Sequence, residues 1–333
     1  MYADGEILND GCNFNLNSLQ KCFYTELNKW GYKLNPHLCI YAFKGGYKIM
    51  TKVTFIGIGD MGSQMITHLP SDGYDVTTWD KDPEKIANID NSDIHAASSL
   101  AEAVKASKVI ITSVMSDDVL ALHLGHDGKL GIVNFLQPGS TLIITSTLDP
   151  EKIFAVNKAL PKDTHLLDVP IIGGVRYARE GSLVLIASGD KEAFDNVLPV
   201  LKAFGTVKYV GELGNGAKLK LITNVGIMAA EAGIRETLDL ADAYDIDYDT
   251  VLGLMQMGPL KPVVSRALDT SNPRPLKGSV ADEEELLNAT KDLIKLPLAK
   301  GSRDRLRDAV DAVEGEARFI DITNKNTALP KFK

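Results

Sequence analysis

The sequence predicts an α/β fold: a doubly wound, mostly parallel sheet over residues 50–212, followed by an all-helical region over 213–333. Three observations predict it. Short runs rich in β-branched residues alternate with helical stretches from 52 to 210, a glycine-rich turn directly follows the first run, and strand signals stop after Gly211.

The first run, 52–58, passes into Gly57-Ile58-Gly59-Asp60-Met61-Gly62 and then a helical stretch to Leu69, which reads as strand, tight turn, helix. A second strand over 76–79 ends at Asp80. Pro83 suits the first turn of the next helix, where a missing N–H costs nothing. The alternation continues with helix 98–106, strand 108–114, helix 117–124 and strand 141–145. Helix 151–160, strands 165–169 and 182–187, helix 191–203 and strand 207–210 follow. Beyond Gly211, acidic and apolar positions sort at helical spacing from 217 to 244. Further helices are expected over 248–255, 281–298 and 302–313, with a turn at 272–275.

A chain of 333 residues, 44% hydrophobic and 24% charged, has core material for about two domains. Its net charge of -8 opposes a surface built to neutralise phosphates, so neither nucleic acid nor a membrane is expected as a partner. No run approaches the ~18 apolar residues of a membrane span. Asp4 and Glu6 stand where a secretion signal would be basic, and a cytoplasmic location is expected. Cys12, Cys22 and Cys39 match neither a disulfide framework nor a zinc pattern. His123 and His126 read as a solvated pair on a helix; with no further ligand in reach, no metal is expected.

Residues 1–49 differ in character from the rest and hold nine of the 22 aromatic residues without sustained periodicity. A non-native or disordered leader is expected there. Met50 directly precedes the first strand, and Lys44-Gly45-Gly46 is what the ribosome-binding codons AAA-GGA-GGT would encode. Translation of upstream DNA, with Met50 as initiator, accounts for both; a genuine extension is the alternative.

The turn at 57–62 carries the first chemical signal. Gly57 allows the tight bend, Gly59 lets backbone approach a pyrophosphate, and Gly62 permits close helix–strand packing, with Ile58, Asp60 and Met61 lining the same loop. Phosphates then meet free N–H groups at a helix start. Asp80, 18 residues beyond Gly62, is placed to accept from ribose hydroxyls and to repel a 2′-phosphate, so NAD is the expected cofactor. Lys81 beside it would tolerate NADP. The alternative role for Asp80 is a helix cap before Pro83.

Four further segments resemble those of the β-hydroxyacid (3-hydroxyisobutyrate) dehydrogenase family, in order and at suitable spacing, and the glycine turn ends in the Met-Gly typical of it. Ser146-Thr147-Leu148-Asp149-Pro150 is similar to the family's Ser-Thr element. Asp168-Val169-Pro170-Ile171-Ile172-Gly173-Gly174 resembles its substrate signature, and Gly214-Asn215-Gly216-Ala217 with Lys220 and Asn224 its catalytic helix start. Lys291-Asp292-Leu293 resembles its later Lys-Asp-Leu. The resemblance implies a Rossmann domain, a long connecting helix and a helical domain, assembled as a homodimer or homotetramer with the site in the interdomain cleft. It implies cofactor contacts from Val114, Met115, Thr147 and Lys291, and substrate contacts from Ser146, Ile172, Gly173 and Gly174. Lys291 also reads as a surface residue paired with nearby acids.

The reaction implied is interconversion of a small 3-hydroxy acid and its semialdehyde or keto form. Oxidising an alcohol with NAD removes a hydride from carbon and a proton from oxygen, and a positioned group must exchange that proton. Burial would let Lys220 serve by disfavouring its ammonium. Asn224, four residues on, shares its helix face, whereas Lys218 points about 200° away. Two residues depart from the family: Ile172 replaces a serine and Thr223 an asparagine, which leaves the substrate's name open. A non-catalytic dinucleotide sensor and an imine reductase are the alternatives; Lys220 counts against both. A 6-phosphogluconate dehydrogenase proper would need a larger helical domain.

Overall fold

A computed structural model describes residues 51–89, 91–313 and 316–330; the expectations for 1–49 and for the cysteines lie outside them. The first apolar run forms β1 (Lys52–Ile56), buried over its last four residues, and the glycine turn leads into α1 (Gly62–Met65) and α2 (His68–Ser71). β2 (Asp75–Trp79) precedes α3 (Pro83–Ala87), which starts at Pro83 as expected. Its cap is Asp82, whose side chain accepts from the Glu84 N–H. Asp80 is left for another task.

β3 (Ile94–Ala96), α4 (Leu100–Ala106), β4 (Val109–Thr112) and α5 (Ser116–Leu124) follow, then a hairpin of β5 (Gly125–His126) and β6 (Lys129–Leu130). After these come β7 (Thr141–Ile144), α6 (Pro150–Lys158), β8 (His165–Asp168), β9 (Ile171–Ile172) and α7 (Val175–Arg179). β10 (Leu183–Gly189), α8 (Lys191–Lys202) and β11 (Gly205–Tyr209) complete the α/β part.

The sheet order is β11-β10-β8-β7-β4-β1-β2-β3, with β9 on β10. Six neighbouring strands from β8 to β3 are parallel, and β10 runs antiparallel to β8. From β1 the chain winds outward through β2 and β3, then returns to β4 and winds the other way. The carboxyl ends of β1 and β4 therefore flank the crevice where such a sheet binds ligands. β7 is wholly buried and β4 nearly so, the environment that the unbroken apolar runs Val109-Ile110-Ile111 and Leu142-Ile143-Ile144 require.

After β11 the chain is helical: α9 (Asn215–Ala243), α10 (Tyr248–Met257), α11 (Lys261–Ala267), α12 (Lys277–Thr290) and α13 (Pro297–Asp311). The continuous helix expected over 281–298 is two helices with a break. Pro297 lacks an N–H and tolerates only a helix start, and Leu296 before it is held out of helical geometry, at φ -118° and ψ 78°. The apolar stripe of α9, with Ile234 and Leu238, packs on Tyr248, Leu252, Val264, Leu276, Leu306 and Phe319; each such aliphatic side chain, fully buried, contributes roughly 1.5–3 kcal/mol. Fully buried Arg235 donates to the Ile322 and Asn324 carbonyls and to the Tyr248 hydroxyl, pinning the C-terminal 3-10 turns onto α9. Among the described residues, no helix is long and apolar enough to cross a membrane, and no cluster of His, Cys, Asp or Glu could hold a metal.

The reading of His123 and His126 as a solvated pair is corrected. His126 sits exposed in the hairpin, but His123 is fully buried, because α5 turns that face onto β4. Its Nδ1–H donates to the Val119 carbonyl at 2.7 Å, so its Nε2 accepts from Thr112 Oγ1 at 3.1 Å. Burial pushes its pKa down to about 4. The unfolded chain therefore binds a proton that the folded one refuses between about pH 6.5 and 4. Stability is expected to fall by about 3 kcal/mol across that window, and denaturant titrations of His123→Leu should show a shallower fall than wild type.

Candidate active site

The glycine turn is built on two close approaches. Gly57 adopts φ +89°, and a Cβ there would lie 2.4 Å from the Ser113 carbonyl oxygen; one on Gly62 would lie 2.0 Å from the Gly57 oxygen. Only glycine fits either position. Over Gly59 the space is open: a Cβ there would meet only Lys85 Nζ, 4.0 Å away. An open stretch of backbone faced by one ammonium suits a pyrophosphate. Sequence reasoning missed Lys85: it is one more lysine on a surface helix until the fold brings α3 over the turn.

Asp80 is nearly buried. Its Oδ2 accepts from the Ile58 N–H at 2.8 Å and its Oδ1 from the Asp82 N–H at 2.9 Å. The carboxylate thus fixes the glycine turn at the end of β2, where a ribose would meet it. Lys81 turns away to pair with Asp118 on α5 at 2.8 Å. Across the crevice, Ser146 Oγ donates to the Val114 carbonyl at 2.6 Å, joining the ends of β7 and β4, and Met115 is exposed beside them. Thr147, half-buried, follows in the same loop.

Lys220 is positioned by the start of α9. The cap there is Gly214, which has no side chain to offer, so the sheet supplies the acceptors. Asp168 Oδ2, at the end of β8, accepts from the Ala217 N–H at 2.6 Å; Ser188 Oγ accepts from the Gly216 N–H at 3.0 Å and donates to Asp168 Oδ2 at 3.2 Å. Burial pushes the Asp168 carboxyl up to about 6, although both hydrogen bonds pull it down.

One turn further on, Lys220 is buried and Asn224 fully so, while Lys218 is exposed. Desolvation pulls the Lys220 ammonium down to about 8; Asp282 and Glu231 oppose the fall, and Arg274 and Arg266 add to it. Both amide atoms of Asn224 are buried without a hydrogen-bond partner. Arg274 pairs with Asp282 at 2.7 Å, and its charge acts on both Asp60 of the glycine turn and Lys220. The Asp60 carboxyl is itself raised by desolvation, against the pull of Lys85 and Arg274. Glu283 is buried with both oxygens unpartnered, and desolvation, reinforced by Glu231 and Asp282, raises it to about 8.

The structure does not bring Lys291 to this cluster. It is exposed at the C-cap of α12, nine residues after Asp282, or roughly 13 Å along the axis and on the opposite face. On α12 the residue whose charge acts on Lys220 is Asp282. Arg266, Arg274, Glu231 and Asp282, all missed from sequence, are charges brought together only when α9, α11, α12 and the loop before α12 pack against one another. Ile172 is half-buried in β9, opposite Val184, and Gly173 and Gly174 follow it toward the cleft.

Residues 52–214 match the family described as the NAD binding domain of 6-phosphogluconate dehydrogenase. The chain is 30% identical to glyoxylate/succinic semialdehyde reductase 1 of Arabidopsis thaliana over 268 residues, 80% of this chain and 91% of the relative. It is 32% identical to the probable mitochondrial 3-hydroxyisobutyrate dehydrogenase-like 2 of the same plant over 201 residues, 59% of this chain and 66% of the relative. Among solved structures, a 3-hydroxyisobutyrate dehydrogenase from Salmonella typhimurium shares the fold with a TM-score of 0.69 at 22% identity, over 82% of this chain and 99% of its own. The chain belongs to the β-hydroxyacid dehydrogenase family and is an NAD(P)-dependent oxidoreductase acting on CH–OH by hydride transfer.

Proposed function

We propose that this enzyme interconverts a small 3-hydroxy acid and its semialdehyde or keto form, with Lys220 as general acid–base and Asn224 as the amide that orients the reacting oxygen. One observation carries the reading: on one helix face, a desolvated lysine stands beside an asparagine whose donor and acceptor are both unsatisfied. Such a pair is costly to bury unless a ligand completes it. When bound, the nicotinamide takes or gives the hydride. The Lys220 amine takes the alcohol proton in oxidation, and its ammonium returns one to the developing alkoxide in reduction. Relatives named for 3-hydroxyisobutyrate and for glyoxylate and succinic semialdehyde support small carboxylated carbonyls as the substrate class. A turnover screen of these acids and semialdehydes with both cofactors tests it. Tight NAD binding without turnover on any of them would favour a sensor.

NAD is the proposed preferred cofactor, because Asp80 presents a fixed carboxylate where a 2′-phosphate would arrive and Lys81 is committed to Asp118. Asp80→Ala is expected to narrow or reverse the ratio of kcat/KM for NAD over NADP, and to weaken both by freeing the Ile58 N–H. A wild type that prefers NADP would contradict the assignment. A homodimer or homotetramer is proposed, supported by the exposed apolar side chains of Leu240, Tyr244, Leu254 and Met257 on the helical region.

A further inference from the structure

We infer that Arg266 is a specificity-determining residue that binds the substrate's carboxylate through its Nε–H, an inference that rests on reading the cleft as a hydroxy-acid site. The guanidinium is held on two sides. Its Nη1 lies 2.7 Å from Glu231 Oε1, and its central carbon lies 4.7 Å from the centre of the Phe319 ring. Glu231 and Phe319 are both fully buried, and Ser279 donates to the other Glu231 oxygen at 3.2 Å. A guanidinium clamped in this way has little freedom left to lose on binding.

The third side carries an unused donor. Arg266 Nε is buried and donates to nothing. A Cβ added to Gly174 would lie 3.7 Å from that Nε, so the space above Gly174 and the unused donor face each other. The charge of Arg266 also reaches Lys220. A short acid lying across Gly174 would therefore offer its carboxylate to Nε–H while its hydroxyl or carbonyl oxygen meets Lys220 and Asn224. This also accounts for Ile172: it brings no hydroxyl to the substrate, and a charge-assisted donor from α11 takes over the recognition of the anion. A neutral aldehyde would leave the buried donor unpaired, which disfavours it relative to a carboxylated one.

The test is binding of 3-hydroxypropionate, and of its neutral amide, to the full-length enzyme saturated with NADH, followed by cofactor fluorescence. Arg266→Lys keeps a cation beside Glu231 but removes Nε, and Arg266→Met combined with Glu231→Gln removes both charges without stranding a buried carboxylate. Both are expected to weaken the acid at least about tenfold, the usual cost of losing a charge-assisted hydrogen bond, and to leave the amide unchanged. Loss of acid and amide alike would mean a packing role and overturn the inference, as would unchanged acid affinity or a wild type that binds no acid. Acid binding that depends on Arg266 supports the inference even if Lys220 variants keep full turnover, an outcome that would sink only the catalytic reading.

Discussion

Lys220→Met is expected to lower kcat by about 10²–10⁴, the usual worth of a positioned general acid–base, with little change in the dissociation constant for NAD. Lys218→Ala should be mild, because that side chain is exposed on the far side of the helix. The pH dependence follows from an ammonium held near 8 by burial. Oxidation needs the free amine, so its kcat should rise with pH through about 8; reduction needs the ammonium and should fall through the same region. Folding gives an independent readout. The unfolded chain holds the proton up to the ordinary 10.5 while the folded chain releases it near 8, so stability rises with pH between those values. At pH 7 the buried charge is a burden, and Lys220→Met should be as stable as wild type or more so, by up to about 3 kcal/mol. Lost activity with retained or improved melting temperature assigns Lys220 to chemistry. Joint loss of both would assign it to structure.

Asp168→Ala is expected to have the next largest effect. It removes the acceptor that holds the Ala217 N–H and one partner of Ser188, at a cost of about 1–3 kcal/mol for buried donors left unmade. The helix start that aims Lys220 would then lose its tie to β8 and keep only Ser188 on β10 and the Asn215 bond to the Val210 carbonyl. A displacement of about 1 Å at the reacting groups is enough for a loss on the order of 10²-fold in kcat. Asp168→Asn keeps an acceptor oxygen and should be milder in both respects. Gly216→Ala probes the same contact from the other side, since its Cβ would stand 2.8 Å from the Asp168 carbonyl oxygen and 2.9 Å from Oδ2. Thermal melts and kcat for the three variants check the account; wild-type values for Asp168→Ala would remove the anchor from it.

The parts of this molecule that were legible in its sequence are those fixed by local chemistry. Gly57 and Gly62 admit no other residue, and Pro83 announces a helix start. The double burial of 110–112 and 142–144 shows in unbroken apolar runs. The helical spacing that puts Lys220 and Asn224 on one face holds for any α-helix, so the structure reproduces it. The sequence was silent where several segments must meet. Asp168 reads as part of a substrate signature but serves as the cap of α9, because only the folded chain shows that Gly214 leaves that helix start unfilled. Arg266 and Arg274 carry no motif and look like solvated charges until the fold sets them against Glu231 of α9 and Asp282 of α12. Lys291 carries a three-residue match, and the register of α12 sets it nine residues from Asp282 on the other face of that helix, a placement helical geometry alone gives. The short strands β3 and β9 contain too few residues for any period to emerge.

In the proposed mechanism the Lys220 side chain itself moves the proton. Chemical rescue tests it most directly: Lys220→Ala assayed for reduction of the best semialdehyde, with small primary amines such as methylamine and ethylamine added to the buffer. The expected result is a low kcat that climbs with amine concentration and, at equal occupancy, rises with the acidity of the added ammonium, because a free ammonium then occupies the space the side chain left. A kcat near wild type without amine, or a low one that no amine restores, would contradict it.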